Sequence, residues 1–166
     1  MNQVTEMFRL NDVARTDEAL KRLSGLFQVM AQQPGFLHAD VTREVADAKT
    51  LLVFHAWARL EDWQAFQTSQ WKLDFMARRP EGLYSPAPVG MNWTLMSGDQ
   101  APSGRFVRRT VSQTEPLGVQ GRVLRAAGDD DSYPAPWMML EHSDSASVGD
   151  GWFEVLLTRA GDAVTV

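Results

Sequence analysis

An α+β fold, a βαββαβ unit followed by an antiparallel β extension, is what this chain of 166 residues predicts. Three observations carry that expectation. Between Gln33 and Phe75 a helix stop, two runs of β period around a polar turn, and an amphipathic helix succeed one another. The segment before this block reads as strand then helix, and the segment after it soon supplies another strand; the order β-α-β-β-α-β is a recurrent compact unit. Beyond residue 104 no helical period recurs, and strand-like runs alternate with turn-rich segments.

Thr5 to Leu10 alternates and opens the fold as a strand, with Arg9 and Asn11 at its end. Thr16 is the expected N-cap of a helix, and Asp17 and Glu18 suit the positive end of its dipole. Leu20, Leu23, Phe27 and Met30 form one stripe. Pro34-Gly35 ends the helix, because Pro cannot continue it and Gly permits the turn. Phe36 to Val45 alternates in the β period, Ala46-Asp47-Ala48-Lys49 is polar enough to turn, and Thr50 to Trp57 is the most β-like run of the chain. A hairpin closing about Asp47 and Ala48 brings His38 opposite or diagonal to His55 and Trp57 on one face. From about Glu61 a second helix carries Leu60, Trp63, Phe66, Trp71 and Phe75 along its stripe, weakened at Thr68-Ser69, and Arg78-Arg79-Pro80-Glu81-Gly82 stops it. Met91 to Met96 is the fourth strand.

The division expected is a domain over residues 1–99 and a β-rich extension over 100–166. The extension has candidate strands at Arg105–Val111, Val119–Arg125, Trp137–Glu141, Trp152–Arg159 and Ala163–Val166. Some 60 residues are few for an independent β domain, so the extension is expected to pack on the first part or on a neighbouring subunit.

Composition narrows function by exclusion. A net charge of −5, with no basic run longer than Arg78-Arg79 or Arg108-Arg109, argues against nucleic acid or an anionic membrane as partner. The absence of cysteine removes disulfides, thiolate metal sites and thiol nucleophiles. The start, MNQVTEMFRL, lacks a basic stretch followed by an apolar run, so no signal peptide is expected and a soluble, cytoplasmic protein is the expectation. No phosphate loop, serine elbow, CxxC or HExxH motif is present. Asp129-Asp130-Asp131 lacks the spacing of a calcium loop and reads as a solvated turn. Six Trp, eight Phe and eight Met suit a pocket for a flat organic molecule as well as an aromatic core.

The Pro34-Gly35-Phe36 entry, the hairpin, the strand ending in Trp57 and the passage Leu60-Glu61-Asp62-Trp63-Gln64-Ala65-Phe66 together resemble the antibiotic biosynthesis monooxygenase family of the dimeric α+β barrel superfamily. The resemblance covers roughly residues 3–97, while 104–166 do not resemble the usual short member. It implies a ferredoxin-like unit whose sheet pairs with a partner's across a two-fold axis, hence a homodimer, unless the extension covers that face instead. It also implies a choice of chemistries. Some members oxidise polyketide rings with dioxygen and no cofactor, some cleave haem, and some are cyclases or have no known activity. The haem-cleaving branch uses an Asn on the first strand, a Trp in the second helix and an axial His near that helix's end. Phe8, Phe66 and Met76 stand at the matching positions here, so iron would lack its proximal imidazole.

The expected function is therefore a cofactor-independent monooxygenase of secondary metabolism acting on a polycyclic aromatic or polyketide-like substrate, with dioxygen. A cyclase, or a non-catalytic binding or assembly protein, is the alternative. Such an oxygenase needs a base, and His38 or His55 is the candidate, since imidazole moves protons near neutral pH. The ordinary alternative is that each simply hydrogen-bonds its surroundings. With Asp40 the two also have the residue types of a metal site, but not the spacing, and no metal or other cofactor is expected. Trp57, Trp71, Asn92, Tyr84 and Arg9 are the candidate substrate contacts; each is as readily a core, edge or surface residue. His142 is expected at the surface.

Overall fold

The structure, a computed structural model, describes residues 1–85, 89–98, 104–118, 121–127, 136–146 and 151–160. The expected strand at Ala163–Val166 and the turn at Asp129-Asp130-Asp131 lie outside the described residues.

The strands are β1 (Asn2–Arg9), β2 (Phe36–Glu44), β3 (Thr50–Trp57), β4 (Val89–Ser97), β5 (Phe106–Ser112), β6 (Arg122–Ala126), β7 (Trp137–Ser143) and β8 (Trp152–Ala160). The helices are α1 (Thr16–Met30), α2 (Leu60–Gln67) and α3 (Gln70–Ala77). Among the described residues eight strands pair antiparallel into one closed barrel of order β1-β3-β2-β8-β5-β7-β6-β4. Closure leaves no row of unpaired backbone groups along a sheet edge.

This corrects the expected place of the extension. It does not lie on a finished domain. It contributes four of the eight strands, with β8 joined to β2 and β6 joined to β4. The sheet face that called for a partner's sheet is covered within the same chain, which removes that reason for expecting a homodimer.

Alternation along the strands creates two apolar layers. Val4, Phe8, Ala39, Val41, Leu51, Val53 and Trp57 face outward and meet Leu23, Leu26, Phe27 and Met30 of α1. Leu52, Phe54, Trp93, Val107, Leu124, Met138, Leu140 and Phe153 fill the barrel. No helix of the described residues is long and apolar enough to cross a membrane.

Local chemistry explains where elements begin and stop. A 3-10 turn, Val13–Arg15, precedes α1 and is capped by Asp12, whose carboxylate accepts from the Ala14 amide at 2.9 Å; α1 starts at Thr16 with Arg15 at its cap position and no side-chain cap, while the Thr16 hydroxyl donates to the Val13 carbonyl at 2.6 Å. Gly35 has φ of +76°, and a Cβ there would collide with the Asp62 carboxylate. Glycine is required on both counts. The second helix is two: Thr68 and Ser69 break it, and Ser69 restarts α3 by accepting from the Lys72 amide at 3.3 Å.

Candidate active site

The outward face of β1 reads Val4, Glu6, Phe8, so a carboxylate stands in the middle of an apolar stripe. Glu6 lies opposite Val53 on β3 and Gly90 on β4. A cavity of about 150 Å³ opens above it. α1 supplies Arg22, Leu23 and Leu26 to its wall, and α3 supplies Lys72, Phe75 and Met76. Gln67, Arg79 and Tyr84 complete it with Phe8.

Each polar group is held by a definite device. Lys72 is buried, placed by the Ser69 cap, and its ammonium lies 5.9 and 5.8 Å from the Phe66 and Phe75 ring centres. Arg22 stacks on Phe75 at 3.9 Å and donates to the Phe75 and Arg78 carbonyls at 2.6 and 3.1 Å. That closes the C-terminal end of α3, where orphan carbonyls favour a cation. Tyr84 is tied to β1 by its bridge to Leu10 and by the Ser85 amide donating to the Arg9 carbonyl at 2.9 Å. Its ring lies against Phe8 at 4.9 Å and under Arg79 at 5.2 Å, and its buried hydroxyl has no hydrogen-bond partner among the described residues.

Burial raises the Glu6 pKa above the usual carboxylate range, and Lys72 partly opposes the shift. Burial lowers Lys72, which Glu6 partly offsets. Burial pushes the Tyr84 phenol up to about 12, so it remains a donor. A carboxyl poised nearer neutrality, an ammonium and a phenolic donor around one apolar cavity can take a proton from a substrate and hold the oxyanion left behind.

The two histidines expected to share a face do not. Thr42 pairs with Leu52 and Val41 with Val53, so the hairpin centres on Asp47 alone. That one-residue difference from a turn about Asp47 and Ala48 flips one strand relative to the other. His38 pairs with Ala56 and points into the barrel, whereas His55 pairs with Ala39 on the helix side. His55 is fully enclosed; its Nδ1 accepts from the Trp57 indole at 2.9 Å, and burial, aided by Lys72, lowers it to about 3. His38 joins a polar group inside the barrel. Arg122 donates to the Gln3 side-chain oxygen at 2.7 Å and lies 3.5 Å from His38 Nε2, while Asp40 accepts from Thr158 at 2.7 Å. Burial, with Arg122 adding to it, lowers His38 to about 4. His142 is half-buried, not a surface residue, and is lowered to about 4 by burial and Arg122. Neither His38 nor His55 lines the cavity. Among the described residues no three His, Asp or Glu side chains are grouped to hold a metal.

The other expected contacts divide similarly. Tyr84 lines the cavity. Trp71 stands behind it, stacked on Phe75 at 5.2 Å and on Phe66 at 6.2 Å. Trp57 is fully buried core, stacked on Phe66 at 5.6 Å and edge-on to Phe36 at 5.4 Å. Asn92 lies opposite Val4, where its side-chain oxygen is 3.5 Å from the Asn2 amide nitrogen. Arg9 reaches away to pair with Asp47 at 2.7 Å and steadies the hairpin turn. Glu6, Arg22 and Lys72 are the residues that sequence reasoning missed. Glu6 carried a signal, an acidic side chain in phase with Val4 and Phe8; Lys72 carried none.

The fold is thus a closed antiparallel barrel with helices over one side and an ionisable cavity between them. Residues 12–78 match the family model of the antibiotic biosynthesis monooxygenases. Among solved structures it is similar to an anthrone oxidase-like protein, at 15% identity and a TM-score of 0.60 over 96% of this chain and 93% of that one. A Fusobacterium nucleatum protein provisionally classed as a monooxygenase matches at 11% identity and a TM-score of 0.62, over 93% of this chain and 74% of that one. A variant of SnoaB, a cofactor-independent oxygenase from Streptomyces nogalater, matches at 14% identity and a TM-score of 0.51, over 60% of this chain and 97% of that one. At such identities the likeness is one of fold. No curated protein matches the chain.

Proposed function

We propose that this protein is a cofactor-independent monooxygenase, and that it oxidises an electron-rich phenolic ring with dioxygen in the cavity between β1 and the helices. The observation that carries this reading is the Glu6 carboxyl beside Lys72 within an otherwise apolar cavity. The family match and the anthrone oxidase-like fold support it.

Glu6 takes a proton from the substrate, and the resulting oxyanion lies between the Lys72 ammonium and the Tyr84 hydroxyl. The electron-rich ring passes one electron to dioxygen. Superoxide and the ring radical combine at carbon to give a peroxide, which loses water and leaves a carbonyl. The ring C–H carbon opposite the oxyanion thereby becomes C=O; its hydrogen and the phenolic proton leave in the water, and dioxygen supplies both the new carbonyl oxygen and the oxygen of the water. The apolar walls from Phe8, Leu23, Leu26 and Phe75 exclude water, which strengthens each charge interaction. His55 and Trp57 sit behind this layer and position it rather than touch substrate.

The test is oxygen consumption with guaiacol, a one-ring electron-rich phenol unsubstituted opposite its hydroxyl, corrected for spontaneous oxidation. Glu6→Gln should lower kcat by about 100-fold, as expected for loss of a general base. His38→Ala should leave kcat nearly unchanged. An unaltered rate in Glu6→Gln, or a loss confined to His38→Ala, overturns the assignment of the base.

A further inference from the structure

We propose that the natural ligand of the cavity is a single aromatic ring whose ionised oxygen, a phenolate or carboxylate, sits on Lys72 and the Tyr84 hydroxyl. This rests on the reading that the cavity is the substrate site, and it narrows what that site admits. Size is the first argument. A cavity of about 150 Å³ is the volume that accommodates one benzene ring. Phe8 and Phe75 offer flat walls to such a ring, and Leu23 and Leu26 its aliphatic rim. A three-ring skeleton would leave most of itself outside. The expectation of a polycyclic substrate is thereby narrowed to the one ring that enters.

Charge is the second argument. The chain is acidic overall, at −5, yet this cavity gathers Arg22, Lys72 and Arg79 against Glu6 alone. The three cations are not equivalent. Arg22 already spends its guanidinium on the Phe75 and Arg78 carbonyls and the Phe75 ring. Arg79 lies over the Tyr84 ring. The buried Lys72 ammonium has two phenyl rings near it and Glu6 as its counter-charge.

Hydrogen bonding is the third. The Tyr84 hydroxyl is buried without a partner among the described residues, and an unmade hydrogen bond of that kind is costly. One acceptor oxygen placed between Tyr84 and Lys72 satisfies both. A lysine is a point charge suited to a single oxygen, where a bidentate grip would call for a free guanidinium. A neutral ring fills the volume but leaves the ammonium and the hydroxyl as they are, so charge discriminates between ligands that shape does not.

The experiment is anaerobic binding of 4-nitrophenol, a one-ring probe whose phenolate is yellow and whose hydroxyl ionises near neutral pH, with nitrobenzene as its neutral counterpart. In mildly acidic buffer the wild type should turn bound nitrophenol yellow and hold it at least about tenfold more tightly than nitrobenzene. Lys72→Met should abolish the colour change while retaining nitrobenzene binding, and Tyr84→Phe should weaken it. Benzoate should displace the probe, and 9-anthroate should displace it at least about tenfold less well. Nitrophenol bound in its neutral form, nitrobenzene bound equally well, or 9-anthroate competing as well as benzoate overturns the proposal. Because no turnover is measured, ionised-ring binding without oxygen consumption would remove the monooxygenase reading and leave this one standing.

Discussion

Glu6 occupies a position that the alternation of β1 reserves for an apolar side chain. A carboxyl held there costs stability, since burial disfavours its charge and Lys72 only partly offsets that. Glu6→Leu should therefore abolish oxygen consumption while leaving the thermal midpoint unchanged or higher, by calorimetry; a large loss of stability would mean that Glu6 is a structural group. The buried imidazoles give a second prediction at this scale. His38 stays neutral in the folded chain down to about 4, whereas the unfolded chain takes up a proton near the ordinary value of 6.5. The unfolded state thus binds more protons between these values, so this residue's contribution falls as pH drops through that window and is flat above it. Glu6 and Asp40, both raised by burial, act in the opposite sense, so the test is a difference. His38→Gln should remove a slope of about 1.4 kcal/mol per pH unit from urea stability between about pH 6 and pH 4.5. Sequence could name the titratable residues but could not place them. A hairpin centred on Asp47 instead of between Asp47 and Ala48 sends His38 and His55 to opposite faces, and composition at the turn does not distinguish the two.

At the scale of elements, β3 runs from Thr50 to Trp57 as its β-branched and aromatic content dictates. The α2–α3 break was less legible. Trp63, Phe66, Trp71 and Phe75 stay in helical phase across Thr68-Ser69, so the apolar stripe continues where the backbone does not. What the break accomplishes is the aim of Lys72, because α3 starts at the Ser69 cap. Ser69→Ala should cost about 1 kcal/mol through the lost cap, and should also weaken nitrophenolate binding, which a simple capping loss remote from the site would not do. The α1–β2 corner is the other point of tension. Gly35→Ala should cost about 2 kcal/mol or more in urea unfolding, from both the positive φ and the collision with Asp62. A neutral substitution would mean that Asp62 and Arg59, which pairs with it at 2.7 Å, swing aside.

At the scale of the whole molecule, the strand runs of the second half were visible as strands, but their pairing was not. The pairs that close the barrel, such as Asp40 with Thr158, join residues 118 positions apart, and nothing local in either segment specifies the other. That distance is why a βαββαβ unit with an extension was legible and an eight-stranded barrel was not. It also makes a prediction. A fragment of residues 1–98 leaves β2 and β4 without their outer neighbours and bares Leu52, Phe54 and Trp93. It should self-associate or precipitate on gel filtration. A well-folded monomeric fragment would contradict the dependence of the first four strands on β5–β8.

The α-helices lie against the first four strands and β8, whose Leu156 and Leu157 join their apolar layer, and among the described residues that layer takes no side chain from β5–β7. A barrel built from two identical sheets must repeat every cavity, so its ligand sites come in equal pairs that can communicate. A barrel closed by one chain is under no such constraint. Its second half needs no helices of its own and supplies much of the lining of the lumen. Titration of this protein should then give a hyperbolic curve that saturates at one equivalent per barrel, where a barrel of two identical sheets would take two.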